Sequence, residues 1–71
     1  MRKERLEKLA SNIRAERHRV KLSQDVVAEK INLSIKTLSK IENARQAASI
    51  LAIIDIAKAL NVDINVLTKD V

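Results

Sequence analysis

Residues 29–43 read EKINLSIKTLSKIEN. One apolar rhythm stops at Ile31 and another begins at Leu38, and the Asn32-Leu33-Ser34 between them contains neither glycine nor proline. Asparagine tolerates the left-handed conformation that ends a helix better than any residue but glycine. Serine is a strong N-cap. The stretch therefore reads as a helix that ends at Ile31, a turn at Asn32, an inward plug at Leu33 and a restart at Ser34. Two short helices joined by a tight turn at a large angle make a helix-turn-helix unit. Such a turn holds the second helix out from the body, so that one of its faces is free.

At 100° per residue Leu38 and Ile41 point one way along that second helix. Lys36, Lys40 and Asn43 fall at i, i+4 and i+7 on the opposite side, flanked by Thr37 and Ser39, and Ile35 stands at the N-terminal end. An ordinary solvated face is the competing reading of this spacing. The tight turn before it and the basic surroundings favour a face made for DNA.

Working outward, apolar period and caps place five helices. The first runs from about Lys3 to Val20, with Leu6, Leu9, Ala10, Ile13 and Val20 on one stripe. Ser23 caps the second, which runs through Ile31 with Asp25 in the first turn, where the helix dipole favours a negative charge. Ser34 caps the third, about Ile35 to Asn43. Ser49 caps the fourth, Ile50 to Leu60, and Asn61 ends it. Asp63 caps a short fifth helix, Ile64 to about Lys69. Ile50, Ile53, Ala57 and Leu60 are expected to fill the core.

Composition agrees with an all-α fold. The 71 residues contain no glycine, proline, cysteine or aromatic residue, so Leu, Ile, Val and Ala must make the core. Without cysteine there are no disulfides or thiolate sites, and the single histidine, His18, cannot build a zinc site alone. We expect no metal, no cofactor and no small-molecule ligand. No apolar run approaches the ~18 residues of a membrane span. The opening MRKERLEKLA has no apolar signal core, so a cytoplasmic location is expected. A chain of this length reads as one domain, residues 1–71.

The net charge of +5 is unevenly placed. Residues 1–45 hold twelve Lys and Arg against six acids, a surplus of six, while residues 46–71 hold two against three. The first part suits a polyanion and the second suits apolar packing. A solubilising basic surface is the plainer alternative.

Two charges sit where apolar residues are expected. Arg17 interrupts the first helix's stripe between Ile13 and Val20, and Glu42 follows Ile41 towards the buried side of the third helix. An unpartnered buried charge is costly, so opposite charges on two facing stripes are expected to pair. In the alternative, both reach to water along their stems.

These residues resemble the lambda-repressor-like family of helix-turn-helix proteins, which includes phage repressors, restriction–modification controller proteins and many antitoxins. The resemblance covers about residues 9–68. It is carried by Asn12-Ile13-Arg14, Leu22-Ser23-Gln24, Val27-Ala28, Ile31, Ile41-Glu42-Asn43 and Ile56-Ala57-Lys58-Ala59-Leu60. It implies a five-helix domain whose second and third helices form the DNA-binding unit. By the same resemblance Ser34, Ile35, Lys36 and Lys40 would face bases. Ser23, Gln24, Thr37, Asn43 and Arg45 would contact phosphates, with Gln24 also bracing the recognition helix. Arg17 and Glu42 match a buried pair in some phage repressors. The chain departs from the family at Asn32, Ala44 and Asn61, where glycine is usual, and at Ala48, where proline is common. A left-handed Ala44 would cost ~1 kcal/mol, so the loop after the third helix is expected to take another path.

The expected function is a sequence-specific transcriptional regulator on double-stranded DNA. One half-site discriminates weakly, so a homodimer on a palindromic operator is expected. Residues 1–45 would face DNA and residues 46–71 would dimerise. Leu51, Ile54, Val62, Ile64, Val66 and Leu67 are more apolar surface than one small domain needs. Of these, Leu51, Ile64, Val66 and Leu67 are expected at the dimer contact, against the alternative that all are core. A second function is a protein-interaction module such as an antitoxin that covers another protein. RNA reading is disfavoured because base-stacking aromatics are absent. With no nucleophile, phosphate loop or metal cluster, an enzyme is not expected.

Overall fold

The helices begin where side-chain oxygens can replace missing backbone acceptors. In the computed structural model, which describes residues 2–71, α1 spans Arg2–Arg19, α2 Gln24–Lys30, α3 Ile35–Glu42, α4 Ile50–Leu60 and α5 Ile64–Leu67. Ser23, Ser34 and Ser49 each accept a hydrogen bond from the backbone N–H three residues on, at 3.2, 3.1 and 3.1 Å. Asp63 accepts from the N–H of Asn65 at 2.8 Å. Each cap satisfies one of the amides that the first helical turn leaves without a partner.

The first four helices end by one repeated device. Lys21, Asn32, Ala44 and Asn61 all have φ between 56° and 62°. After each of them the chain doubles back, and the next residue donates to the carbonyl five positions earlier: Leu22 to Arg17, Leu33 to Ala28, Arg45 to Lys40 and Val62 to Ala57, at 2.9–3.1 Å. This is the Schellman closure, made four times without glycine. It corrects the expectation for Ala44. That residue adopts the left-handed conformation (φ 59°) despite its Cβ, because the closure satisfies the last carbonyls of α3. Leu22, Leu33 and Val62, the residues after three of these turns, pack against the core. The residue after the fourth is Arg45, which is exposed.

The core is built by Ile13 of α1, Val27 and Ala28 of α2, Leu38 and Ile41 of α3, Ile53, Ile56, Ala57 and Leu60 of α4, and Leu67 of α5. α1 packs on α3, α4 and α5, while α2 packs on α3 and α4. Two apolar assignments need correction. Ile50, expected in the core, is 65% exposed, since at the start of α4 Ser49, Ile50 and Leu51 all stand in solvent and burial begins at Ile53. Leu67, expected at a dimer contact, is fully buried. The fifth helix is a single turn that ends at Leu67 rather than Lys69, and its last residue closes the core between α1 and α4. Ile64 and Val62 are half-buried and also lean on the core. Of the surface expected to dimerise, Leu51 (69% exposed) remains largely open and Val66 partly so (39% exposed). No helix among the described residues is long and apolar enough to cross a membrane.

Candidate nucleic-acid interface

The site is built around α3. Its Leu38, Ile41 and Glu42 are buried, which turns Lys36 and Lys40 to solvent on the far side. Ile35, at the N-terminal end, is also exposed. Capping occupies Ser34. Its hydroxyl accepts from the Thr37 N–H and donates to Thr37 Oγ1 at 2.9 Å. The Thr37 hydroxyl, acting there as acceptor, keeps its own hydrogen. Asn43 Nδ2 donates to Ser39 Oγ at 3.2 Å, which leaves its second amide hydrogen available. Ser23 Oγ accepts from Val26, so its hydrogen too has no partner within that cap.

What holds α3 in place is a polar cluster centred on Glu42, whose side chain is 0% exposed. Arg17 Nε lies 2.9 Å from Oε2 and 3.1 Å from Oε1, and its Nη2 lies 3.0 Å from Oε1. Arg17 Nη1 donates to the Leu22 carbonyl at 2.9 Å. Gln24 Nε2 donates to Glu42 Oε1 at 3.0 Å. The Arg17 side chain is 11% exposed, so both ions are largely out of water. Charge-assisted, multiply bonded pairs of this kind are stronger than neutral hydrogen bonds and fix geometry. The cluster thus joins the end of α1, the start of α2 and the end of α3. Gln24 spends one amide hydrogen on this brace and retains the other. Among the described residues, no buried side-chain nitrogen or oxygen lacks a partner, and no group of acids or His18 could hold a metal ion.

Two further contacts were not anticipated from the sequence. Arg14 Nη1 donates to the main-chain carbonyl of Glu42, at the C-terminal end of α3. Asn12 Nδ2 donates to the carbonyls of Leu67 and Lys69, both at 2.9 Å, at the exit of α5. A polar residue on either flank of the buried Ile13 was the available signal. It did not name a partner, because all three acceptors are backbone groups.

The sequence profile of a family described as helix-turn-helix matches residues 13–67. Among solved structures, the chain is similar to the restriction-modification controller protein C.AhdI from Aeromonas hydrophila, with a TM-score of 0.84 at 26% identity over 87% of this chain and 94% of that one. No curated protein sequence matches.

Proposed function

Because the chain belongs to the helix-turn-helix family of DNA-binding regulators, we propose that it binds a palindromic operator as a homodimer, with α3 in the major groove. The observation that carries this reading is the contrast between the two sides of α3. One side is locked by Leu38, Ile41 and the Glu42 cluster, and the other presents Lys36, Lys40 and Ile35 to solvent. A rigid helix with a free basic face is what groove reading needs. Lysine can donate to guanine O6 or N7, and Ile35 can pack on a thymine methyl. Ser34 is the weakest of the expected base readers, since its hydrogen is committed to Thr37.

Ser23, Gln24, Thr37, Asn43 and Arg45 would contact phosphates on either side and set the register. Each has a donor left after its internal bonds, and Ser23 and Gln24 add the amides at the start of α2. The dimer would form through Leu51 and Val66 with the half-buried Ile54 and Ile64, part of the apolar surface that remains open in residues 46–71, to which the exposed Ile50 also belongs. Leu67 has no part in it. The likeness to a restriction-modification controller favours the regulatory setting of a controller protein, acting through occupancy of its site.

Selection of bound sites from a random DNA pool tests the proposal. The expected outcome is two inverted half-sites at one fixed spacing. Enrichment of a single asymmetric site, or of none, would overturn it.

A further inference from the structure

Asn12, Ile13 and Arg14 are consecutive in α1 and do three different things. Ile13 is buried in the core. Positions two apart on a helix differ by about 200°, so Asn12 and Arg14 leave α1 on opposite sides. Arg14 reaches the last carbonyl of α3, and Asn12 reaches the carbonyls of Leu67 and Lys69 at the end of α5. Both acceptors of Asn12 are carbonyl oxygens, so both bonds require its NH2 group, and one amide satisfies the last carbonyl of α5 and that of Lys69 just beyond it. Seven residues earlier on α1, Arg5 Nε donates to the Val71 carbonyl at 2.9 Å. One helix therefore grips the exits of both the helix with the free basic face and the helix that carries Val66.

We infer that Asn12 is a positioning residue that sets which half-site spacing the dimer accepts. The inference rests on the dimer reading above. α5 is a single turn and has little rigidity of its own. It is anchored in the core by Leu67 and the half-buried Ile64, and at its exit by Asn12 and, further along, by Arg5. With the Asn12 bonds released, only Arg5, at Val71 four residues past the end of α5, still holds the exit, and α5 can pivot about Leu67. A pivot of about 10° across the short 20 Å dimension of the domain displaces the far side by about 3.5 Å, close to the ~3.4 Å rise of one base pair. The separation of the two recognition helices would then fit more than one spacing.

The test uses Asn12→Asp, which keeps the shape and removes both donors. Probes carry one half-site, two half-sites at the selected spacing, or two half-sites shifted by one base pair either way. Where a shifted probe engages only one half-site, the unsubstituted protein should prefer the selected spacing by about 100-fold. In Asn12→Asp that preference should fall to about tenfold or less, with single half-site affinity and base preference unchanged. Equal weakening on every probe, with the spacing preference intact, would overturn the inference and leave Asn12 a purely stabilising residue. If Asn12→Asp does not fold, Asn12→Ala, which removes the donors without setting a negative charge against the two carbonyls, gives the same decision by the same probes. A monomeric wild type, or one that binds no DNA, would instead overturn the dimer reading itself. That failure is distinguishable because it is visible in the unsubstituted chain.

Discussion

Removing Glu42 should cost this domain a large part of its stability. Glu42→Ala deletes the acceptor of three hydrogen bonds from Arg17 and one from Gln24. Arg17 keeps only the Leu22 carbonyl and a contact with His18 Nε2 at 3.2 Å. A charge that is mostly out of water thereby loses its counter-ion. Breaking a buried pair from one side costs about 3–5 kcal/mol. The Leu22 carbonyl and the residual exposure of Arg17 place the expected loss near the lower end, at about 3 kcal/mol. A domain of this length has a total stability of roughly 4–11 kcal/mol. The melting temperature should fall by about 12–24 °C, at roughly 4–8 °C per kcal/mol. Far-UV circular dichroism is the suitable assay, since the chain has no aromatic residue to report by fluorescence. The double variant Arg17→Met with Glu42→Leu should recover most of the loss, because no charge is then left unpaired. A Glu42→Ala protein melting within about 2 °C of wild type would refute the reasoning, since it would put the pair's contribution below about 0.5 kcal/mol.

Lys40→Ala should weaken the best operator by about 1–3 kcal/mol and relax the preference at one base step. If the lysine instead serves a phosphate, binding-site selection will return an unaltered motif and the salt slope will fall by about one. Leu51→Glu puts a charge on an exposed side chain, so the fold should survive while sedimentation reports a monomer and gel shifts lose the full operator. A Leu51→Glu protein that stays dimeric would remove Leu51 from the contact. Ala44→Gly relieves a left-handed alanine and should stabilise the domain by about 1 kcal/mol in denaturant unfolding, the reverse of what glycine does inside a helix. A loss of stability would mean that the gain in unfolded-state entropy outweighs the strain at position 44.

The starts of the helices were legible in the sequence because an N-cap is a local event. Ser23, Ser34 and Ser49 need only a backbone N–H three residues away, and that partner is always present. The Arg17–Glu42 contact was legible for a different reason. Two opposite charges on apolar stripes have few other ways to be satisfied, so residue identity alone narrowed the choice. The free face of α3 followed from period, since eight residues contain two full turns and show which side carries Leu38 and Ile41. Other features were decided only by the packed chain. A four-residue helix has no period to read, so nothing local says that Leu67 faces inward and Val66 outward. Ile50 lies on the same stripe as Ile53, yet it is exposed because the packed bundle covers that stripe only from Ile53 onward. The left-handed Ala44 has an intrinsic cost that a local reading must count against it, and the closing bond from Arg45 to Lys40 offsets that cost. Asn12 and Arg14 find carbonyls 55 to 57 and 28 positions away along the chain. Every residue carries the same carbonyl, so which one a side chain meets is written in tertiary geometry and not in residue type.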